Sequence, residues 1–187
     1  ILADLQGPKI RVARFKDNRK VLLERGQKFD IDTAFPADQG DETQVGCCYD
    51  ALPYDVKQDD VLLLNDGLIV MKVDAVDGTR VKCTVVLGGV LSNHKGINKQ
   101  GGGLSAPTLT DKDKEDLKTA VDINADYLAI SFPRSREDME EARRMLKDLG
   151  SDMGLVAKVE RTEAIIEGTI EGIIEASDAI MVARDDL

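Results

Sequence analysis

The sequence is poor in residues that most often bind transition metals or form cross-links. Of its 187 residues, one is histidine and three are cysteine. His94 has no partner for a histidine-rich metal site and is predicted to be a solvated loop residue. Cys47 and Cys48 are adjacent, and the chain has no Cys-x-x-Cys metal spacing. Three cysteines are also not an even set for disulfides. We therefore predict that the cysteines are reduced.

Basic charge and long apolar runs are also scarce. The chain has 25 Lys and Arg against 35 Asp and Glu, a formal net charge of −10 at pH 7. Nucleic-acid affinity depends on many Lys and Arg contacts with phosphates, so this charge disfavours a nucleic-acid partner. No apolar run approaches the roughly 18 residues that span a bilayer, and residues 1–4 lack the basic start of a signal peptide. We predict a cytoplasmic protein without a membrane partner.

The first half of the chain predicts a compact all-β domain over residues 11–100. Short β-type runs at 20–24, 28–33, 61–64, 68–73 and 80–86 are separated by Gly, Asp and Asn. Asp77-Gly78 is the strongest hairpin signal, and Asp66-Gly67 is a second candidate turn. Such a domain commonly closes into a barrel, because closure removes exposed strand edges.

The chain after Gly101-Gly102-Gly103 alternates helices with strands at 126–132, 155–160 and 179–184, which indicates a parallel α/β sheet. Residues 1–5 can supply a fourth strand. Four strands do not close an eight-stranded barrel, so the pattern predicts a fragment, namely a partial (βα)8 TIM barrel with the all-β domain inserted. Two helix starts carry a capping-box pattern, Thr110 with Asp113 and Ser135 with Asp138.

A lysine and three carboxylates mark the ends of two predicted strands. Lys158 and Glu160 are two residues apart, so the period of a β-strand places them on one face. Because an unpaired buried charge is costly, each must be paired, metal-bound or catalytic, and a structural ion pair is the alternative to a catalytic one. Asp185 and Asp186 follow the next strand, at the edge where parallel α/β proteins carry their sites.

Several motifs closely resemble, in order, the central motifs of pyruvate kinase of the bacterial type. They are Asp4-Leu5-Gln6-Gly7-Pro8-Lys9-Ile10-Arg11, Asn65-Asp66-Gly67, Lys95-Gly96-Ile97-Asn98, Leu109-Thr110-Asp111-Lys112-Asp113, Ile130-Ser131-Phe132-Pro133-Arg134, Ala157-Lys158-Val159-Glu160 and Met181-Val182-Ala183-Arg184. The resemblance implies that residues 1–10 and 101–187 belong to a catalytic βα barrel and that residues 11–100 form a lid over its C-terminal face.

The resemblance also implies an activity, phosphoryl transfer between phosphoenolpyruvate and ADP to give pyruvate and ATP in glycolysis. By the same resemblance, Lys158 is expected to lie against the transferred phosphoryl group, and Glu160 and Asp186 are expected to hold Mg²⁺ or Mn²⁺. Phosphoryl transfer needs charge neutralisation more than covalent help, which this set supplies. Asp185 and Asp186 stand at substrate-binding positions, but the family has glycine where Asp185 adds bulk and negative charge.

Four further residues resemble the family's nucleotide-facing positions: Arg11, Asp66, Lys95 and Asn98. On local chemistry, Arg11 and Lys95 can contact a polyphosphate, and the alternative is a solvated strand end and loop.

Many family members carry Thr-Lys-Gly-Pro-Glu in the first motif and need potassium, whereas this chain has Lys9 at the last position. Its ammonium can replace the ion near Asp4, so we predict no potassium requirement.

Two other functions fit parts of the sequence. One is a metal-dependent pyruvate aldolase on a related barrel, although an aldolase needs no nucleotide clamp. The other is a nucleotide-binding lid module without catalysis. The resemblance implies a homo-oligomeric parent, a tetramer, and an isolated fragment that is inactive because other active-site groups of the family lie outside it.

Overall fold

The computed structural model of the chain describes residues 1–160 and 162–182. They divide into two compact units, which we name the α/β unit (Ile1–Pro8 with Ala106–Leu187) and the β unit (Lys9–Ser105). The strands are β1 (Leu2–Asp4), β2 (Val21–Leu23), β3 (Lys28–Asp32), β4 (Gln44–Gly46), β5 (Val61–Leu64), β6 (Ile69–Asp77), β7 (Arg80–Leu87), β8 (Gly89–Leu91), β9 (Ile97–Lys99), β10 (Tyr127–Ile130), β11 (Gly154–Val159) and β12 (Ala179–Val182). The helices are α1 (Leu52–Asp55), α2 (Asp111–Asp122), α3 (Arg136–Asp148) and α4 (Thr169–Ala176), with 3₁₀ turns at Lys16–Asn18 and Thr162–Ile165.

The α/β unit is built on a parallel four-stranded sheet in the order β1-β10-β11-β12. Strands β10 and β11 are almost continuously apolar and buried, as strands covered on both faces must be. Helices α2, α3 and α4 connect or follow these strands and bury one apolar face each, with Leu117, Met139, Leu146 and Ile173 in the shared core. The predicted parallel α/β sheet is confirmed, and its carboxyl ends lie along one edge.

Of the two predicted capping boxes, one is confirmed and the other is wrong. The Thr110 hydroxyl accepts the Asp113 N–H, and Asp113 accepts the Thr110 N–H in return. Ser135 begins α3 without a side-chain cap. Asp138 instead accepts hydrogen bonds from Arg134 and from the Thr108 hydroxyl. Burial raises the pKa of Asp138, but these hydrogen bonds outweigh burial and hold the pKa below its ordinary value.

Asp113 also joins the segment that follows β1 to the start of α2. Its side chain is fully buried, and Oδ1 accepts the Gly7 N–H at 3.0 Å while Oδ2 accepts from Thr110. A single carboxylate therefore satisfies backbone donors from two segments far apart in sequence.

Replacement of this carboxylate is expected to destabilise the α/β unit. In Asp113→Ala, we expect the free energy of unfolding to fall by about 2–3 kcal/mol, because a helix cap is lost and buried N–H groups lose their acceptor. Chemical denaturation followed by circular dichroism measures the change. Asp116→Ala in the same helix removes only an exposed pair with Lys112 and is expected to cost less than about 0.5 kcal/mol. Equal losses in the two variants would contradict this role of Asp113.

The β unit contains a six-stranded sheet in the order β4-β3-β7-β6-β5-β9 and a two-stranded sheet of β2 and β8. Buried and exposed residues alternate along β6 and β7, which is the pattern of strands with one face in a core. Each of the five strands predicted in this region has an observed counterpart, while β4, β8 and β9 were not predicted. The short helix α1 is also part of the unit.

Residues 11–13 link the two end strands of the six-stranded sheet. On one side, Val12 N–H donates to the Lys95 carbonyl, next to β9. On the other side, Ala13 N–H donates to the Gly46 carbonyl at the end of β4, and Cys48 N–H donates to the Arg11 carbonyl. Backbone hydrogen bonds therefore continue from β9 through this segment to β4.

Both predicted turns are present. In the β6–β7 hairpin, Asp77 pairs with Arg80, so the two-residue loop is Gly78-Thr79, with Gly78 at φ 60°. Between β5 and β6 the loop is longer, and Asp66 and Gly67 both have positive φ. None of the helices within the described ranges has the length and apolarity needed to cross a lipid bilayer.

Candidate active site

Charged and polar side chains meet at the carboxyl edge of the parallel sheet. The ammonium group of Lys158, near the end of β11, lies 3.2 Å from Oδ1 of Asp4 at the end of β1. The same nitrogen lies 3.0 Å from Oε1 of Glu160 and 3.0 Å from Oγ of Ser131, which follows β10. We name Asp4, Ser131, Lys158 and Glu160 the edge cluster. Lys158 and Glu160 are on one face, as predicted.

The edge cluster keeps Lys158 protonated. Its side chain is 15% exposed, against 2% for Glu160 and 53% for Asp4. Burial lowers the pKa of Lys158, but the hydrogen bonds and charges of Glu160 and Asp4 outweigh burial and raise the pKa above its ordinary value. Lys158 therefore carries a positive charge that its partners hold in place.

The Glu160 carboxylate is oriented by two different donors. Oε1 accepts from Lys158, and Oε2 accepts the backbone N–H of Phe132 at 3.0 Å. Phe132 has φ 57°, a left-handed conformation that is costly for a bulky residue. In this conformation, the backbone N–H of Phe132 points toward the Glu160 carboxylate.

Gly7 makes the close packing beside Phe132 possible. A Cβ atom at Gly7 would lie 3.0 Å from Cδ2 of Phe132 and 3.0 Å from Cβ of Ser131, and Gly7 itself has φ 66°. Any other residue would be strained at this φ and would require Ser131 or Phe132 to shift by a few tenths of an ångström. Gly7, the glycine of the first motif, thus allows close packing against Ser131, a member of the edge cluster.

The predicted nucleotide-facing residues lie on neighbouring backbone segments of the β unit. Arg11 forms an isolated antiparallel bridge with Gly96, next to Lys95. Asn98 lies in β9 opposite Leu63 of β5, and Asp66 is in the loop that follows β5. The fold therefore brings together the backbone segments of Arg11, Asp66, Lys95 and Asn98, and three of these side chains are exposed while Lys95 is half-buried.

Lys9 lies in the β unit and shares a cavity of about 230 Å³ with Arg11, Cys48 and His94. Two of the predicted site residues, Lys9 and Arg11, thus line one basic cavity.

His94 is exposed, as predicted, and its Nε2 atom accepts a hydrogen bond from Arg14. All three cysteines are free, and burial raises the pKa of Cys47 and Cys83 to about 12.

The second predicted carboxylate ligand lies outside the described residues. Asp185 and Asp186 follow residue 182, the last that is described. Within residues 1–160 and 162–182, no group of three or more His, Cys, Asp and Glu side chains is placed to hold a metal ion.

Sequence reasoning missed Ser131 and Phe132 as site residues and missed Lys158 as a partner of Asp4. The signal was present, since both missed residues come directly after the buried run of β10, at the same edge as Lys158. A serine after a strand is too common to be singled out without the neighbouring strands.

Comparison with known proteins decides the family. A family model described as pyruvate kinase, barrel domain, matches residues 1–187. The chain belongs to the pyruvate kinase family. It is 54% identical over 188 aligned residues to pyruvate kinase II of Salmonella typhimurium and 52% identical to the pyruvate kinase of Buchnera aphidicola from Acyrthosiphon pisum. Each alignment covers 100% of this chain and 39% of the relative.

The fold of this family member is also similar to a solved structure. A crystal structure of a pyruvate kinase from Cryptosporidium parvum matches with a TM-score of 0.88 and 28% identity, covering 100% of this chain and 39% of that one. The chain thus spans about two fifths of the length of the pyruvate kinases it matches.

Proposed function

We propose that the full-length protein containing this chain is a phosphotransferase, which interconverts phosphoenolpyruvate and ADP with pyruvate and ATP in glycolysis. The observation that carries the proposal is the edge cluster, in which Asp4, Ser131 and Glu160 hold the ammonium of Lys158 at the carboxyl edge of a parallel sheet. Family membership over residues 1–187 supports the same conclusion.

Lys158 is proposed to stabilise the phosphoryl group during transfer. The transition state spreads negative charge over three equatorial oxygens, so a cation held in advance lowers the barrier without rearranging. The raised pKa of Lys158 keeps that cation charged. Its low exposure strengthens each interaction, because water screens it less.

Glu160 fits the role of a ligand to Mg²⁺ or Mn²⁺, with Asp186 as the second carboxylate. Its carboxylate is buried and accepts at both oxygens, from Lys158 and from the Phe132 amide, so its orientation is fixed before a cation binds. Carboxylate oxygens are the ligands that both ions prefer. When bound, the ion neutralises charge on the substrates and acts as a Lewis acid.

We further propose that the α/β unit is part of an eight-stranded TIM barrel and that the β unit is a closed barrel acting as its lid. The hydrogen bonds from β9 through residues 11–13 to β4 support closure of the β unit. Arg11, Asp66, Lys95 and Asn98 are proposed to face the nucleotide, and lid closure to exclude water from the transfer. The parent is proposed to be a cytoplasmic homotetramer with small-molecule partners only.

Asp185 and Asp186 are proposed to stand at the substrate end of the site. The family's glycine permits close approach of backbone amides to the substrate carboxylate. Asp185 adds a side chain and a negative charge there, so we expect weaker binding of phosphoenolpyruvate than in relatives with glycine.

Potassium independence is a separate expectation. We expect the full-length enzyme to turn over at nearly the same rate in sodium-only and potassium buffers, because the Lys9 ammonium takes the place of the ion near Asp4. In sodium buffer, the turnover rate of Lys9→Glu, which restores the family residue, is expected to be about tenfold lower than that of the wild type. In potassium buffer, we expect the rate to recover. The exposed Lys20→Glu variant is the control. A wild-type enzyme with large potassium stimulation would refute the assignment.

The function itself is tested by coupled assay of the purified full-length protein. We expect pyruvate to form only when phosphoenolpyruvate, ADP and Mg²⁺ are all present. Retro-aldol cleavage of a hydroxylated pyruvate adduct, without nucleotide, would instead support the aldolase alternative. Saturable ADP binding with no turnover would support the lid module.

A further inference from the structure

The hydroxyl of Ser131 has a fixed direction at the centre of the edge cluster. The residue is 2% exposed, and its Oγ–H donates to the Leu5 carbonyl at 2.7 Å. A carbonyl can only accept, so the single hydroxyl proton is committed there. The oxygen lone pairs therefore face the Lys158 ammonium, which donates to Oγ at 3.0 Å.

The anchor for this hydroxyl is itself part of the sheet. Leu5 N–H donates to the Ala129 carbonyl, continuing the pairing of β1 with β10 by one residue. The bond from Ser131 to the Leu5 carbonyl adds the next link between the same two strand ends. The backbone of two neighbouring strands thus sets where the hydroxyl points.

The three acceptors of Lys158 differ in how readily they can be displaced. An ammonium has three N–H donors, and Asp4, Ser131 and Glu160 supply an acceptor for each. Asp4 is 53% exposed, so water competes for it, whereas Glu160 and Ser131 are almost fully buried. The Asp4 contact is the one that an incoming phosphoryl oxygen can replace.

We propose that Ser131 is the positioning residue for Lys158, which holds the ammonium in place with Glu160 when the Asp4 contact is given up to the phosphoryl group. A neutral acceptor suits this role, because it fixes the nitrogen without cancelling the positive charge offered to the substrate. This inference rests on the proposed phosphoryl transfer.

The test compares two serine variants of the full-length protein. In Ser131→Ala, we expect kcat to fall about tenfold or more while KM for ADP stays nearly unchanged, since the variant alters the placement of Lys158 and the bond to Leu5 but none of the proposed nucleotide-facing residues. Ser177→Ala is the control, because Ser177 also donates to a backbone carbonyl at 2.7 Å but lies at the end of α4. It is expected to keep the wild-type kcat.

A crystal structure of the Ser131→Ala protein gives a readout that does not depend on activity. We expect Nζ of Lys158 to leave its position beside Glu160 or to occupy more than one rotamer. An unmoved Nζ, or a kcat equal to that of the control, would overturn the role of Ser131. If the wild-type protein transfers no phosphoryl group, the proposed function fails, and the position of Nζ in the variant still decides whether Ser131 holds Lys158.

Discussion

Lys158→Met in the full-length enzyme is expected to lower kcat by about 10³-fold, with a much smaller change in KM for either substrate. Methionine keeps the length and most of the packing of the lysine stem but removes the charge that faces the phosphoryl group. Steady-state kinetics in the coupled assay measure both constants. The expected loss is large because the edge cluster holds Lys158 protonated and in one place before substrate arrives.

A matched lysine variant separates this effect from a general loss of charge. Lys112→Met removes a lysine that also pairs with a carboxylate, Asp116, but on the exposed side of α2. We expect it to keep the wild-type kcat. If both variants lose activity equally, or if Lys158→Met keeps more than about a tenth of the wild-type rate, Lys158 does not face the reacting group.

Glu160→Gln is expected to raise the Mg²⁺ concentration for half-maximal activity by at least about tenfold. Glutamine keeps an oxygen that can accept from Lys158 or from the Phe132 amide, but it lacks the negative charge that a divalent cation requires. Activity at the highest Mg²⁺ concentrations should therefore recover in part. The measurement is a Mg²⁺ titration of the initial rate at saturating substrates.

The control for Glu160 is another carboxylate that accepts a backbone N–H. Glu171 accepts the Gly168 N–H at 2.7 Å at the start of α4, and its side chain is outside the edge cluster. Glu171→Gln is expected to leave the Mg²⁺ dependence unchanged. A Glu160→Gln enzyme with the wild-type Mg²⁺ dependence would show that Glu160 does not bind the ion.

Local patterns were enough to predict much of the fold. The alternation of helices and strands after residue 103 predicted the parallel sheet, and the two-residue spacing of Lys158 and Glu160 predicted that they share a face. The Thr110–Asp113 capping box could also be predicted, because its two residues are three positions apart in the sequence. In each case the pattern that allowed the prediction lies within one continuous stretch of sequence.

The remainder depended on contacts between distant segments. Ser135 and Asp138 have the same spacing as the confirmed capping box. Asp138 instead accepts hydrogen bonds from Thr108 and Arg134, so a capping box with Ser135 does not form. The pairing of Asp4 with Lys158 joins residues 154 apart and follows only from the order β1-β10-β11. Sequence periodicity carries no signal for such contacts.

The most direct measurement is a crystal structure of the full-length protein with Mg²⁺ and phosphoenolpyruvate. We expect Nζ of Lys158 to lie about 2.7–3.2 Å from a phosphoryl oxygen, still bonded to Ser131 and Glu160 but separated from Asp4. A phosphoryl group bound elsewhere, with Lys158 still paired to Asp4, would contradict the account.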